Sequence, residues 1–391
     1  MFLKPNRKKR IVLTGGGTGG HIFPLIAISR ELKQISASQR IPLEIIYLGP
    51  KDFTFDYILK ENIIAKPIFI GKLKPELSFS AILDILKSFV GIIQSFFYLY
   101  FYMPDAVVVK GGYGSFPVAF WSVIMFIPLY LHESDSVPGS VNSLFKRFAK
   151  KIFLSFQYSL KYFPKEKSVL TGNPVRRELF NLPEKESTKK LLKLSSRPIL
   201  TIVGGSQGSM HLNDFVLDCL DKLLEKVEII HQTGKNNYGQ VLKETKIIYQ
   251  EIIKDKEKQI YYHPVPFFEE KEIPDISSWR DVLAATDLIV SRAGSGLIFE
   301  IAAAGIPSIL VPLPWASKDH QRKNAYEYGK NGAGVVLEEE NLKPNIFSDL
   351  IFQIIFDEER KKQMKNAALA FSKPSAALII SQIIIKDIIS F

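Results

Sequence analysis

At 391 residues, and with roughly 150 per typical domain, the chain has room for two to three domains and a core that needs no covalent staples. Its one cysteine, Cys219, excludes a disulfide scaffold; within the apolar-periodic LNDFVLDCLDKLLEK it reads as a buried helix residue of a reduced, intracellular protein. With 46% hydrophobic and 23% charged residues the composition is globular, neither disordered nor fibrous.

The net charge of +11 is unevenly held, since residues 1–176 carry 23 Lys and Arg against 11 Asp and Glu, whereas residues 177–391 carry 28 against 29. A first half that basic suits an anionic partner: nucleic acid, anionic lipid or a phosphorylated substrate. No secretory signal is legible, because the basic start is followed by only Ile11 to Leu13 before a glycine cluster. Two charge-free runs are long enough to test as membrane spans. Residues 88–104 give 17, at the lower limit, and residues 111–131 give 21 but contain Gly111, Gly112, Gly114, Pro117 and Pro128, so neither reads as a span.

The opening RIVLTGGGTGGHIFPLIAISRELKQI predicts a strand, a glycine turn and a helix. The same grammar continues through the strand LEIIYLG, a helix over 78–102, DAVVVKGGYGSFPVAFW, the strand IPLYLHE, a helix around VNSLFKRFAKK and the strand IFLSF. After the polar connection FPKEKSVLTGNPVRRELFNLPEKES it restarts with PILTIVGGSQGSMHLNDFVLDCLDKLL. Its later elements are VEIIHQTG, QIYYHPVPFF, a helix ending near Ala285, DLIVSR, GLIFEIAAAG, IPSILVPLP and a helix after Gln321. Strands alternating with helices predict an α/β protein of two Rossmann-like, doubly wound parallel-sheet domains facing a deep cleft. The isoleucines at 379, 380, 383, 384 and 388 predict a final helix, Pro374 to Phe391, that crosses back onto the first domain.

Gly15, Gly17 and Gly20 fit the dinucleotide fingerprint, but a nicotinamide enzyme needs an acid ending its second strand, and LEIIYLG ends in Gly49 and Pro50. No GK[ST] follows, so a Walker loop is excluded. What remains is a helix amino-terminus suited to an anion or a sugar hydroxyl, with His21 placed either as a general base or as a packing residue. GGSQGS at 204–209 offers a second anion cradle, and Glu300 sits in the opening turns of its helix, either holding ribose hydroxyls or complementing the helix dipole. HExxH, CxxC, a clear DxD, a nucleophile elbow and nucleic-acid motifs are all missing, so no metal, hydrolase chemistry, cofactor or nucleic-acid partner is expected.

GGTGGHIFP (16–24), KGGYGSFP (110–117), HESDSVPGSVN (132–142), GNPVR (172–176), GGSQGS, RAGSGLIFEIAAAGIPSILVPLP (292–314) and HQRKNA (320–325) together resemble the MurG family, the bacterial peptidoglycan N-acetylglucosaminyltransferases with the GT-B fold. The resemblance implies transfer of N-acetylglucosamine from UDP-N-acetylglucosamine to the C4 hydroxyl of the muramoyl sugar of lipid I, with inversion, giving lipid II and UDP. It implies His21 as base. Thr18, Gly19 and Gly20 would line the donor sugar and diphosphate, Arg176 and Ser206 the nucleotide and its phosphates, and Phe268 the uracil. Ser295, Gly296 and Leu297 would lie under the diphosphate, Glu300 would hold the ribose, Gln321 and Asp135 would meet the sugar, and Tyr113 and His132 would stand on the acceptor side. It further implies residues 1–175 with 374–391 as the acceptor and membrane-associating domain, and 176–373 as the donor domain.

This sequence departs from the family where HEQN becomes HESD, which puts Asp135 in place of an amide, and where GGYVSGP becomes GGYGSFP. Lipid I carries a polyprenyl tail, so the enzyme must work at a bilayer. The apolar, aromatic stretch at about 72–102 with Lys72, Lys74 and Lys87 reads as a dock for an anionic membrane surface, or else as domain core. The implied location is peripheral, on the cytoplasmic face of the bacterial inner membrane, with other cell-wall synthesis and division proteins as further partners.

Overall fold

The structure is a computed structural model that describes residues 8–16, 19–52, 55–71, 79–205, 208–269 and 275–390, with backbone only at 79–83 and 85. It divides into two compact units, Met1–Arg176 with Lys373–Phe391, and Arg177–Ser372.

The strands of the first unit are β1 (Lys9–Thr14), β2 (Leu43–Gly49), β3 (Ile64–Pro67), β4 (Ala106–Val109), β5 (Leu129–Glu133), β6 (Lys151–Leu154) and β7 (Ser168–Leu170). They form one sheet in the order β3-β2-β1-β4-β5-β6-β7, every described pairing parallel. Both faces are covered, which is why these strands read as continuous apolar runs and not as alternations. Ile11, Leu13, Tyr47 and Val108 pack on one side with Ile22 and Leu25 of the helix Gly19–Gln39. Val12, Leu48, Val107 and Leu131 pack on the other with Leu99, Val118 and Phe145, from the helices Phe79–Tyr102, Phe116–Ile124 and Ser140–Phe145.

In the second unit, β8 (Ile199–Val203), β9 (Glu228–Gln232), β10 (Tyr262–Val265), β11 (Leu288–Ser291), β12 (Ser308–Leu310) and β13 (Gly334–Val336) form a parallel sheet in the order β10-β9-β8-β11-β12-β13. Leu200, Val216, Leu220, Val290, Phe347 and Ile351 lie in its core. Three strands have no counterpart in the sequence reading: β3, β13, and β7, which lies inside the stretch read as a polar connection. All three are sheet edges. An edge strand is half solvated, so IAKP, SVL and GVV need no apolar run.

The last helix, Ala376–Ile389, packs on Gly19–Gln39. Ile380, Ile384, Ile385 and Ile388 enter the first core, Ser381 Oγ donates to the Ile28 carbonyl (3.3 Å), and Tyr130 Oη donates to Asp387 (2.8 Å), which also meets Lys150 at 3.3 Å. By length and composition, Glu358–Ile389 is the one described helical stretch apolar enough to cross a membrane. Four of its isoleucines, Ile380, Ile384, Ile385 and Ile388, are committed to this core. Ile384→Ala is therefore expected to destabilise the protein by about 2–5 kcal/mol in chemical denaturation, whereas Ile379→Ala, at a site 37% exposed, should cost under about 1 kcal/mol. Equal costs would mean that the helix is not docked through that stripe.

Candidate functional site

Each sheet reverses its winding between its first and fourth strands, at β1/β4 and at β8/β11, and the loops leaving these carboxyl ends meet there. In the first unit, Gly15 and Gly16 follow β1, and the helix starting at Gly19 puts Gly20 and His21 in its first turn. Tyr47 Oη donates to the Gly15 carbonyl (2.9 Å) from beneath. After β4, Gly112 adopts φ 75°, and a Cβ there would stand 2.7 Å from the Gly16 carbonyl oxygen and 3.3 Å from His21 Nε2. The imidazole thus lies against bare backbone. Tyr113 follows at once, and burial together with the Asp52 charge raises its phenol.

The end of β5 supplies His132 and Glu133. His132 is fully buried, with Nε2 3.4 Å from the Gly172 carbonyl; burial, reinforced by the Lys110 charge, holds it well below its usual value, so it is neutral. Glu133 ties the next loop together by accepting from the Gly139 N–H (3.0 Å), Asn142 Nδ2 (2.9 Å) and the Asp135 N–H (3.2 Å). Burial and the neighbouring Asp135 push its carboxyl up. Asp135 itself is half-buried. Arg176, expected to open the second domain, is the last residue of the first unit, and its guanidinium packs over the Phe23 ring at 4.6 Å.

In the second unit, the turn after β8 closes tightly: a Cβ on Gly204 would stand 2.7 Å from the Ser209 nitrogen, and one on Gly208 would stand 2.3 Å from the Thr233 carbonyl oxygen. Across the reversal, Arg292 donates to Ser209 Oγ (2.6 Å), to Glu339 and to the Val311 carbonyl (3.3 Å). The helix Ser295–Ala304 then begins from Gly294, so the amides of Ser295, Gly296 and Leu297 are first-turn donors with no helical acceptor. Open space adjoins Gly294, where a Cβ would meet nothing within 4 Å.

Glu300 projects one turn on and accepts from Trp279 Nε1 (2.9 Å), while Trp279 stacks on Phe268 with ring centroids 5.0 Å apart. Phe268, Trp279 and Glu300 therefore form one connected wall. Gln321 Oε1 accepts from the Leu313 N–H (3.1 Å), holding the start of the helix His320–Gly329 to the strand end. Thr18 and Ser206 lie outside the described residues. Neither Trp279, the buttress of Glu300, nor Lys110, whose ammonium is buried beside the first glycine loop, carries a mark in the sequence.

The geometry has close relatives. Residues 11–154 match the glycosyltransferase family 28 N-terminal domain, and residues 199–380 match the glycosyltransferase family 28 C-terminal domain. Over 377 residues, 96% of this chain and 99% of the relative, the sequence is 33% identical to the UDP-N-acetylglucosamine–N-acetylmuramyl-(pentapeptide) pyrophosphoryl-undecaprenol N-acetylglucosamine transferase of a Thermoanaerobacter species. It is 36% identical to the enzyme of that name from Clostridium tetani, covering 92% of this chain and 93% of that one. The chain belongs to the MurG family. The crystal structure of Acinetobacter baumannii MurG superposes with a TM-score of 0.70 at 25% identity, covering 97% of this chain and 99% of that one, so the two parallel-sheet units have the GT-B architecture of MurG. A UDP-GlcNAc 2-epimerase from Neisseria meningitidis shares the fold alone, with a TM-score of 0.64 at 15% identity, covering 97% of this chain and 100% of that one.

The fit of MurG-type glycine loops at the first reversal can be tested on stability. Gly112→Ala is expected to cost about 1–3 kcal/mol in chemical denaturation, since both the φ of 75° and the Gly16 carbonyl resist a Cβ. Gly239→Ala, at a helical site where a Cβ meets nothing within 4 Å, should be neutral or stabilising by up to about 1 kcal/mol. A neutral Gly112→Ala would remove the close approach.

Proposed function

We infer that this protein transfers N-acetylglucosamine from UDP-N-acetylglucosamine to the C4 hydroxyl of the muramoyl sugar of lipid I, with inversion at the anomeric carbon, giving lipid II and UDP in peptidoglycan synthesis. The observation that carries this reading is identity of 33% and 36%, over nearly the whole of both chains, to transferases of that name. The first unit with the final helix serves the acceptor and the membrane, and the second serves the UDP-sugar.

His21 is the general base, in our reading: its imidazole takes the proton from the attacking hydroxyl as the new bond to the anomeric carbon forms and the bond to the UDP oxygen breaks, the electron pair leaving with the diphosphate. Thr18, Gly19, Gly20 and Asp135 receive the donor sugar and diphosphate from the first unit, and Arg176 and Ser206 the nucleotide and its phosphates. The amides of Ser295, Gly296 and Leu297 offer preorganised donors to the departing charge, as a helix amino-terminus does. Glu300, steadied by Trp279, accepts the ribose hydroxyls, Phe268 faces the uracil, and Gln321 reads the sugar hydroxyls. Tyr113 and His132 belong to the acceptor side; because His132 is buried and neutral, it acts by shaping the loop.

The protein works at the cytoplasmic face of the inner membrane as a peripheral enzyme. Supporting this is the helix Phe79–Tyr102, whose Leu86, Phe89, Ile93, Phe97, Tyr100 and Phe101 are all exposed on one stripe, with Lys87 exposed beside them. Lys72 and Lys74 fall outside the described residues. Phe97→Ser with Phe101→Ser is expected to weaken binding to phosphatidylglycerol vesicles about tenfold in a flotation assay. Undiminished binding would remove this stripe from the dock.

The reaction is tested by labelled transfer from UDP-N-acetylglucosamine to a short-chain lipid I analogue, with EDTA present and UDP-N-acetylgalactosamine as competitor. Transfer is expected to survive EDTA and to prefer the gluco donor. His21→Ala should lose about 10²–10⁴-fold in turnover while still binding UDP. An unaffected His21→Ala protein would remove the base, and a folded, UDP-binding protein without transfer would move the acceptor elsewhere.

A further inference from the structure

Lys110 is 1% exposed, the least of any Lys, Arg, Asp or Glu among the described residues. It follows β4 directly. Its N–H donates to the Thr14 carbonyl (2.9 Å), and its Cβ would lie 3.1 Å from a Cβ built on Gly15. The ammonium is interior and has no hydrogen-bond partner among the described residues. Its attractions run instead to Glu133 and Asp135, at and just beyond the end of the neighbouring strand β5. Burial pushes it down to about 8, against the pull of those two carboxylates.

The two acids are not equivalent. Glu133 already accepts three hydrogen bonds that build its own loop, whereas Asp135 is half-buried at the rim. In the same unit, Thr14 Oγ1, His132 Nδ1 and both amide atoms of Asn173 are also buried and have no hydrogen-bond partner among the described residues. A charge left in such a place is tolerated only where other charges compensate it through the low-dielectric interior. Asp135 therefore adds a second negative charge to that of Glu133 near the buried ammonium.

We propose that Lys110 is a positioning residue for the transfer reaction, its buried ammonium being the counter-charge that makes Asp135 a fixed acceptor for a hydroxyl of the donor sugar, so that Lys110 and Asp135 act as one unit. This rests on the transferase reading above. An ionised carboxylate accepts without donating, so the pair commits this rim to a sugar hydroxyl that donates. At the corresponding place in the second sheet, directly after β11, Arg292 is fully engaged with Ser209, Glu339 and the Val311 carbonyl. Lys110 has no such employment.

The test is a cycle of wild type, Lys110→Met, Asp135→Asn and the double variant, with kcat and KM for UDP-N-acetylglucosamine measured at saturating lipid I analogue. Each single change should lower kcat/KM about tenfold or more, because each strands a charge, and the double variant should recover about tenfold over Lys110→Met. In the wild type, kcat/KM should fall as pH rises through about 8, where Lys110 loses its proton. The groups facing Lys110 are His132 and Glu133 at the end of β5 and Asp135 just beyond it. Lys110→Arg keeps the charge at all these pH values, so whatever activity it retains should show no alkaline fall.

UDP binding and the unfolding temperature identify folded variants, and Lys110→Arg serves where Lys110→Met does not fold. Losses that simply add in the double variant, or an alkaline fall that persists in Lys110→Arg, would overturn the pairing. Absence of transfer by the folded wild type would overturn the transferase reading instead.

Discussion

The first site depends on backbone meeting backbone at a winding reversal. Where β1 and β4 lie side by side, their loops leave for opposite faces of the sheet and expose main chain to each other. A Cβ on Gly112 would meet the Gly16 carbonyl at 2.7 Å, one on Gly16 would meet Pro50 at 2.7 Å, and one on Gly114 would meet the same proline at 2.8 Å. No side chain can separate these segments. The imidazole of His21 consequently lies close to the main chain at Gly112, beside the amino-terminus of its own helix.

The second sheet repeats the plan with different joinery. Each sheet places a cation immediately after its fourth strand, Lys110 after β4 and Arg292 after β11. Arg292 stitches the glycine turn at Ser209 to the loop at Glu339 through its planar fork, a task that needs several fixed donors. Lys110 is a point charge whose ammonium has no hydrogen-bond partner among the described residues, so its influence is through the field it creates. His132 feels that field as a further reason to stay neutral, and Glu133 feels it as an attraction opposing the repulsion from Asp135. Two topologically equivalent cations are thus divided between structure and electrostatics.

The repeated pattern of strand, glycine turn and helix was legible because central strands of a doubly wound sheet are apolar throughout and their turns need glycine. The positions of His21 and Glu300 in the opening turns of their helices were legible because each helix follows such a turn. The edge strands β3, β7 and β13 were not, since half-solvated residues such as those of SVL carry no periodic mark. Trp279 escaped notice because its two partners, Phe268 and Glu300, lie on separate segments on either side of it, joined only by the fold. Nor does anything in GNPVR announce that the Arg176 guanidinium packs on Phe23. Lys110 looks like a strand-end lysine until Thr14, Glu133 and Asp135 close around it.

The helix Phe79–Tyr102 inverts the usual distribution. Toward the sheet it buries Gly91, Ser95 and Leu99, a mostly small set at four-residue spacing, and Ser95 Oγ satisfies itself on the Gly91 carbonyl (2.7 Å). Small residues allow a close seat: a Cβ on Gly91 would stand 2.0 Å from the Phe69 carbonyl oxygen. Trp121 secures the seat by donating from Nε1 to the Ile92 carbonyl (2.8 Å). The large residues Phe89, Phe97, Tyr100 and Phe101 are left on the outer face. A helix held only by burial of its apolar stripe would turn those rings inward. This one is held by close backbone approach and by hydrogen bonds from Trp121 and from the N–H groups of Phe69 (to Gln94, 2.9 Å) and Gly71 (to Ser88, 3.2 Å), which leaves its rings free on the outer face.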